Sequence, residues 1–297
     1  HSLLGIKSAT GYVDVLMNSW ATKKPETSEL VATLTKLREM LPRSLFRGVL
    51  LQLSVVPSQF NAIRSLFLKS YAANAMAAFV LGVGDRHLEN LLLDSKTGRV
   101  VAIDFGYAFG FATEALRPPE LVPIRHTLAI TSAATPLNGR LLLADLYTEY
   151  LSVLRQNKGF LLGFVALLAY EPLSGWDTRV TNSYVFNHDR EGSAKFRASK
   201  LETVRMKLSG ASPAVTLLRD LKDGPHGKES LAYASPMFAA VMGKLPEYPT
   251  NRSRLHAFDG SEPRRSLSER DQVTCIIEMA EDKVLLSRIY PGWAPYC

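Results

Sequence analysis

Cysteine is nearly missing from this chain. Two occur, Cys275 and Cys297, too few for a disulfide framework and without the paired spacing of a thiolate metal centre. The scarcity fits a reducing cytosolic or nuclear compartment. No secretory leader is expected from the opening HSLLGIKSATGY, which has no basic start followed by an apolar stretch. The most apolar run, Phe160 to Tyr170, is too short to cross a bilayer and reads as a buried helix. Nor is charge concentrated. Lysine and arginine exceed acids by 35 to 28, giving a net charge of +7, yet the basic residues are scattered. A mildly basic solvated surface is the plain reading, and handling of polyphosphates or proximity to nucleic acid the pointed one.

What is present suffices for a large core: 46% of the 297 residues are hydrophobic. Residues 1–28 are polar and broken by Gly5, Gly11 and Pro25, which suggests a loop or the remnant of an upstream region. Helical spacing appears twice over 29–53, with a break at Pro42. A helix opens at Pro57-Ser58, with Ser58 as its expected cap, and carries Phe60, Ile63, Phe67 and Tyr71 on one face. It stops at Gly82 and Gly84. Leu91–Leu93 and Val100–Ile103 flank Asp94–Gly98 as a β-hairpin does. The chain is then irregular through Pro118, Pro119 and Pro123. Helices are expected near 138–155, 159–169, 195–208 and 228–243, a linker over 244–265, and a helical tail over 266–297 that opens at Ser266-Leu267-Ser268-Glu269. The fold class is therefore α+β, mainly helical, with one small hairpin.

The chemistry lies in Gly84-Asp85-Arg86-His87-Leu88-Glu89-Asn90 and Ile103-Asp104-Phe105-Gly106. Phosphoryl transfer asks a protein for a carboxylate to take the hydroxyl proton, hard oxygen ligands for magnesium, and rigid placement of both. Asp85 precedes Asn90 by the same offset that separates catalytic Asp and metal-binding Asn in the kinase signature H-R-D-x-x-x-x-N. Asp104 then opens a D-F-G on the following strand. A hairpin between the two motifs brings Asn90 and Asp104 to one end of adjacent strands. Either motif alone is a common accident; the order, spacing and context together are not.

His87 follows the acid instead of preceding it. In this D-R-H order the segment resembles the phosphatidylinositol 3-kinase-like superfamily at each diagnostic position. The resemblance implies a kinase C-lobe over 29–243 (catalytic loop 82–90, activation loop 104–125) and ATP and Mg2+ as cofactors. It implies that Asp85 accepts or orients the substrate proton and that His87 stabilises charge on the transferring group. Asn90 and Asp104 would hold the metal, and Leu92 and Ile103 would pack against adenine, although plain core strand positions remain the alternative for those two. Arg86 is given a structural ion-pairing role.

The loop Tyr107–Pro123 contains one cation, Arg117, against Glu114 and Glu120, a poor seat for an inositol phosphate. Pro119-Glu120-Leu121-Val122-Pro123-Ile124-Arg125 resembles the P-E-x-V-P-F-R segment of the phosphatidylinositol 3-kinase-related protein kinases. There it helps read a glutamine after the target residue, so Pro119, Glu120, Leu121, Val122 and Pro123 become substrate-binding candidates. Lys207–Val215 and the ending LSERDQVTCIIEMAEDKVLLSRIYPGWAPYC resemble the DNA-repair branch of that family and its FATC tail, with Tyr296-Cys297 in place of an aromatic-Met ending.

The resemblance thus implies transfer from ATP to Ser/Thr followed by Gln, in the nucleus, in double-strand break repair by non-homologous end joining. Contact with the Ku heterodimer and DNA ends would come through other parts of a longer protein. Lys195, Arg197, Lys200, Arg205 and Lys207 form a modest basic patch but no base-reading motif. No membrane association is expected. The family's glycine-rich loop and phosphate lysine are not found before residue 57, so the N-lobe is expected to be absent and the piece alone weakly active or inactive. A phosphoinositide lipid kinase and a non-catalytic scaffold are the competing readings.

Overall fold

The structure, a computed structural model, describes residues 27–42, 44–116, 118–170, 190–223, 239–244 and 266–295. The central element is α3, Pro57–Leu81, preceded by α1, Thr27–Met40, and α2, Leu45–Gln52. Its cap differs from the expected one. Val56, in an extended conformation, is the N-cap and Pro57 sits at the first helical position, where a missing N–H costs nothing and the ring presets φ. Phe60, Ile63, Phe67 and Tyr71 are buried as the spacing predicts, joined by Leu68, Ala72, Met76 and Phe79. Each large apolar side chain among them contributes about 1.5–3 kcal/mol on leaving water. Gly82 stops the helix at φ 62, and the Val83 N–H closes back onto the Ala78 carbonyl at 2.8 Å.

The hairpin forms where expected. Leu91–Leu93 (β1) pairs antiparallel with Val100–Ala102 (β2), placing Leu92 opposite Val101. Side chains of α3 hold its inner edge: the Val100 N–H donates to Ser70 Oγ at 2.9 Å, and Asn74 Nδ2 donates to the Val100 carbonyl at 3.2 Å. The stretch after it is less irregular than its prolines suggest. It contains two short helices, α4 (Phe111–Ala115) and α5 (Leu128–Ser132).

Helix α6, Gly139–Gln156, is capped by Asn138 and lays Leu143, Tyr147 and Leu151 against α3. Helix α7, Lys158–Tyr170, is not the buried helix that its apolarity predicts. Val165 is buried, but Phe160, Phe164 and Leu167 face outward. Helices α8 (Arg190–Leu208) and α9 (Pro213–Asp223) come next; the second was not anticipated, although Pro213 at its start and Ala214, Leu217, Leu218 and Leu221 at helical spacing, all buried, were its signal in the sequence. The tail forms α10 (Glu269–Glu281), capped by Ser268, and α11 (Lys283–Ser287), capped by Asp282. The expected helix near 228–243 lies mostly outside the described residues, as do residues 1–26 and the 244–265 linker apart from Lys244.

Two cores result. One joins α3, α6, α8 and α10. The other joins Leu34 of α1, Leu121 and Val122, α9, and Leu285, Leu286, Ile289 and Trp293 of the tail. Buried Arg125 ties this second core shut. Its Nη2 donates to the Ala294 carbonyl at 2.8 Å, its Nη1 to the Trp293 carbonyl, and its guanidinium lies 4.5 Å from the Trp293 ring.

Arg125→Met removes two charge-assisted donors from buried carbonyls together with the stacking contact. The expected loss is about 2–4 kcal/mol, read as a lower urea midpoint at unchanged slope. An unchanged midpoint would mean the tail is held elsewhere.

Candidate active site

Residues 82–90 leave α3 as an irregular loop, and the start of the activation segment runs beside it. Gly84 N–H donates to the Tyr107 carbonyl, Phe109 N–H to Leu81, and Gly110 N–H to Gly82, each at 2.8 Å. The approach is close enough to require glycine at 84, where a Cβ would stand 2.3 Å from that of Ala112.

Arg86 organises the loop. Its side chain is buried and donates to the Gly84 and Ile103 carbonyls at 2.8 Å each and to the Asp104 carbonyl. Its guanidinium also lies 5.6 Å from the Phe105 ring. Burial lowers its pKa, against the pull of Glu120, Asp85 and Asp104. The ion-pairing role anticipated for it is therefore mainly a carbonyl-binding one: a single fork of donors ties the D-R-H loop to the D-F-G turn.

Asp85 and Asp104 both adopt left-handed backbone, at φ 57 and 54, a region aspartate enters at less cost than most residues. Asp85 is held at both peptide groups. Its N–H donates to Glu120 Oε2 at 2.6 Å and its carbonyl accepts from Asn90 Nδ2 at 2.9 Å. His87 Nε2 stands 3.9 Å from Asp85 Oδ2. Asn90 closes a single 3-10 turn, Leu88–Asn90, and its carbonyl accepts the Ile103 N–H at 3.1 Å. Asn90 and the strand leading into Asp104 thus meet at one end of the hairpin, as the sequence predicts. Asp104 is exposed and one of its oxygens accepts the Gly106 N–H at 3.0 Å.

Among the described residues, no group of three or more His, Cys, Asp or Glu side chains could hold a metal. The donor set available is the Asn90 amide oxygen, its nitrogen already engaged, and the Asp104 carboxylate. Two hard oxygens suit magnesium, which keeps waters and phosphate oxygens for its other positions.

Leu92 and Ile103 are 48% and 39% exposed, so they are not core strand residues. Val101, opposite Leu92 and 49% exposed, shares their face. Sequence reasoning missed it, although alternation along a strand puts 101 and 103 on one side. Leu92, Val101 and Ile103 make an apolar floor beside Asp104.

The segment 119–123 comes against the catalytic loop, but the side chains of Glu120, Leu121 and Val122 turn inward, leaving Pro119 and Pro123 half-buried. Burial pushes the Glu120 carboxyl up to about 7, even though the Asp85 N–H favours its charged form. Glu114 is likewise buried and ion-paired with Lys200, which lies 3.9 Å from Asp220. Neither loop acid is thus a surface charge; what makes the loop a poor anion seat is its single cation, Arg117, which lies outside the described residues. The basic patch on α8 dissolves in the same way. Lys200 and Lys207 are buried, Lys207 lies 5.3 Å from the Phe79 ring with its pKa lowered by burial, and Arg205 pairs with Glu202.

The chain is similar to known proteins. The family profile for phosphatidylinositol 3- and 4-kinases matches residues 6–178. The chain is 31% identical over 288 residues to the DNA-dependent protein kinase catalytic subunit of Mus musculus, aligning 95% of itself with 7% of that protein. To the subunit of the same name from Gallus gallus it is 30% identical over 280 residues, with 92% and 6% covered. The chain spans less than a tenth of the length of these curated relatives. A solved structure titled "FAT and kinase domain of CtTel1" shares the fold, with a TM-score of 0.62 at 22% identity over 97% of this chain and 16% of the other. With the profile matched over more than half its residues, the chain belongs to the phosphatidylinositol 3- and 4-kinase family.

Proposed function

We propose that this chain supplies the metal-holding, proton-accepting side of a protein kinase site that transfers phosphoryl from ATP to serine or threonine. The observation that carries the reading is the clamp of Arg86 on the carbonyls of Gly84, Ile103 and Asp104. It ties the loop of Asp85 to Asp104 beside an apolar floor, and Asn90 joins them through its own Nδ2 bond to the Asp85 carbonyl. In this reading Asp85 accepts the proton as the substrate oxygen bonds to the transferring phosphorus and ADP departs. His87, whose Nε2 stands 3.9 Å from Asp85 Oδ2, would donate to a phosphoryl oxygen. Asn90 and Asp104 would hold magnesium, which supplies neutralisation of phosphate charge. Leu92, Val101 and Ile103 would lie against the adenine ring. The catalytic body is taken as 29–243 and the tail as 266–297.

A polypeptide hydroxyl is the favoured acceptor, because the loop Tyr107–Pro123 offers a phosphoinositide headgroup one cation. The similarity to the DNA-dependent protein kinase catalytic subunits supports a glutamine after the target residue, with the half-buried Pro119 and Pro123 shaping that end of the substrate and Glu120, Leu121 and Val122 supporting them from within. It also supports a nuclear role in end-joining repair, with Ku and DNA ends engaged by other parts of the parent protein.

The test is transfer from ATP to a Ser-Gln peptide, a Ser-Ala peptide and phosphatidylinositol by the parent protein, alongside Asp104→Ala. The Ser-Gln peptide is expected to be preferred, and Asp104→Ala to lower kcat by about 10²–10³-fold, the scale of losing one charge-stabilising group. Activity surviving Asp104→Ala would remove the metal assignment; preference for the lipid would remove the protein-kinase one; and no transfer by the wild type would favour a scaffold. Separately, Leu92→Ser and Val101→Ser are each expected to raise KM for ATP by about 10-fold with little change in kcat, as removal of uniform binding does.

A further inference from the structure

We propose that Glu120 is a positioning residue for Asp85, fixing the proton acceptor through its peptide N–H instead of reading substrate with its side chain; this rests on the assignment of Asp85 above. Asp85 sits at φ 57, a conformation that persists only where its surroundings over-determine it. Its carbonyl is taken by Asn90 Nδ2 and its N–H by Glu120 Oε2. Two contacts, one on each flanking peptide, define φ and ψ together and hence where the carboxylate points. The chain passes Glu120 so closely that a Cβ at Gly84 would stand 3.1 Å from Glu120 Oε2.

Glu120 is itself anchored. Its carbonyl accepts Thr113 Oγ1 at 2.8 Å, its N–H donates to the Ala112 carbonyl, and its neighbours Leu121 and Val122 are locked into the second core with the tail. The tail therefore reaches the reacting carboxylate by a short route: Trp293 and Arg125 fix the segment, the segment fixes Glu120, and Glu120 fixes Asp85. Glutamate suits the task because a carboxylate accepts an N–H more strongly than an amide does.

The titratable and charged groups facing Glu120 are Asp85 and Arg86 from the catalytic loop and Arg125 from its own segment, with Tyr71 of α3 lining the same cavity. The carboxyl titrates at about 7 in the fold against 4.5 ordinarily. The folded state thus holds a proton that the unfolded state has lost, so this group's contribution to stability is fully present below about 4.5 and is lost as pH rises through about 7. Grip on the Asp85 N–H changes in the opposite sense, strengthening as the carboxylate forms. Activity should therefore rise, and stability fall, across one window.

The experiment compares wild type, Glu120→Gln, Glu120→Ala and Asp85→Asn in the parent protein, measuring kcat, KM for ATP, hydrogen exchange across 82–90, and the pH profiles of activity and stability. Glu120→Gln is expected to lower kcat about 10-fold with KM for ATP within about twofold, and Glu120→Ala to lower it about 10²-fold, the cost of roughly 1 Å of misplacement. Both should speed exchange at Asp85, and Glu120→Gln should flatten the pH limb near 7. If the Ala variant fails to fold, the Gln variant decides. Wild-type kcat and pH profile in Glu120→Gln, with Asp85→Asn inactive, would overturn the positioning role alone. Full activity in Asp85→Asn would overturn it together with the assignment on which it rests.

Discussion

One buried guanidinium holds the site together. Arg86 is the residue between Asp85 and His87, and its fork ends on three carbonyls drawn from both motifs. A lysine has the charge but not the geometry to bind three acceptors in this arrangement. Burial of that charge is tolerable because the carbonyls satisfy its donors and three carboxylates lie nearby. The consequence is mechanical. The D-R-H loop and the D-F-G turn, separated in sequence by a whole hairpin, are tied to each other through one side chain.

Around this clamp the molecule is built in two parts that meet at the activation segment. Ile124 belongs to the core of α3, α6, α8 and α10, whereas Leu121 and Val122 belong to the core of α1, α9 and the tail. A short extended stretch thus serves two cores at once, which is why so many of its side chains are hidden. Tyr71 donates to the Arg125 carbonyl while the Arg125 side chain reaches the tail. The tail is in this sense part of the support of the candidate site: its removal would uncover Leu121 and Val122, the neighbours of Glu120.

Charge is turned inside the protein more than the sequence suggests. Glu114, Glu120, Lys200, Lys207, Arg125 and Asp220 are all buried. The Glu114–Lys200 pair fastens α8 to α4, and Asp220 of α9 lies so near Gly110 that a Cβ there would stand 2.5 Å from its oxygen. Lys200 of the apparent basic patch and Glu114 of the apparently acidic loop are thus partners inside the protein, and Glu120 is turned to the Asp85 N–H. A net charge of +7 therefore says little about what this face offers a partner.

Local spacing was enough to find α3, the hairpin, the helical tail and the order of Asp85, Asn90 and Asp104, because helix periodicity, turn chemistry and motif offsets are properties of neighbours in the chain. The extent of α7 was legible but its burial was not, since an apolar composition does not say which neighbours will cover it. Leu92 and Ile103 could not be told from core strand positions until their exposure was seen, and Val101 came into view only with the register. The capping of α3 at Val56 turned on a proline preference at one position. The inward turn of Glu120 and the three-carbonyl grip of Arg86 had no signature at all: both depend on contacts between segments far apart in sequence. The sequence by itself determined the order and spacing of the Asp, His and Asn side chains on which the proposed chemistry rests. Only the tertiary structure decided which of their neighbours hold them in place, because that support comes from packing across the chain.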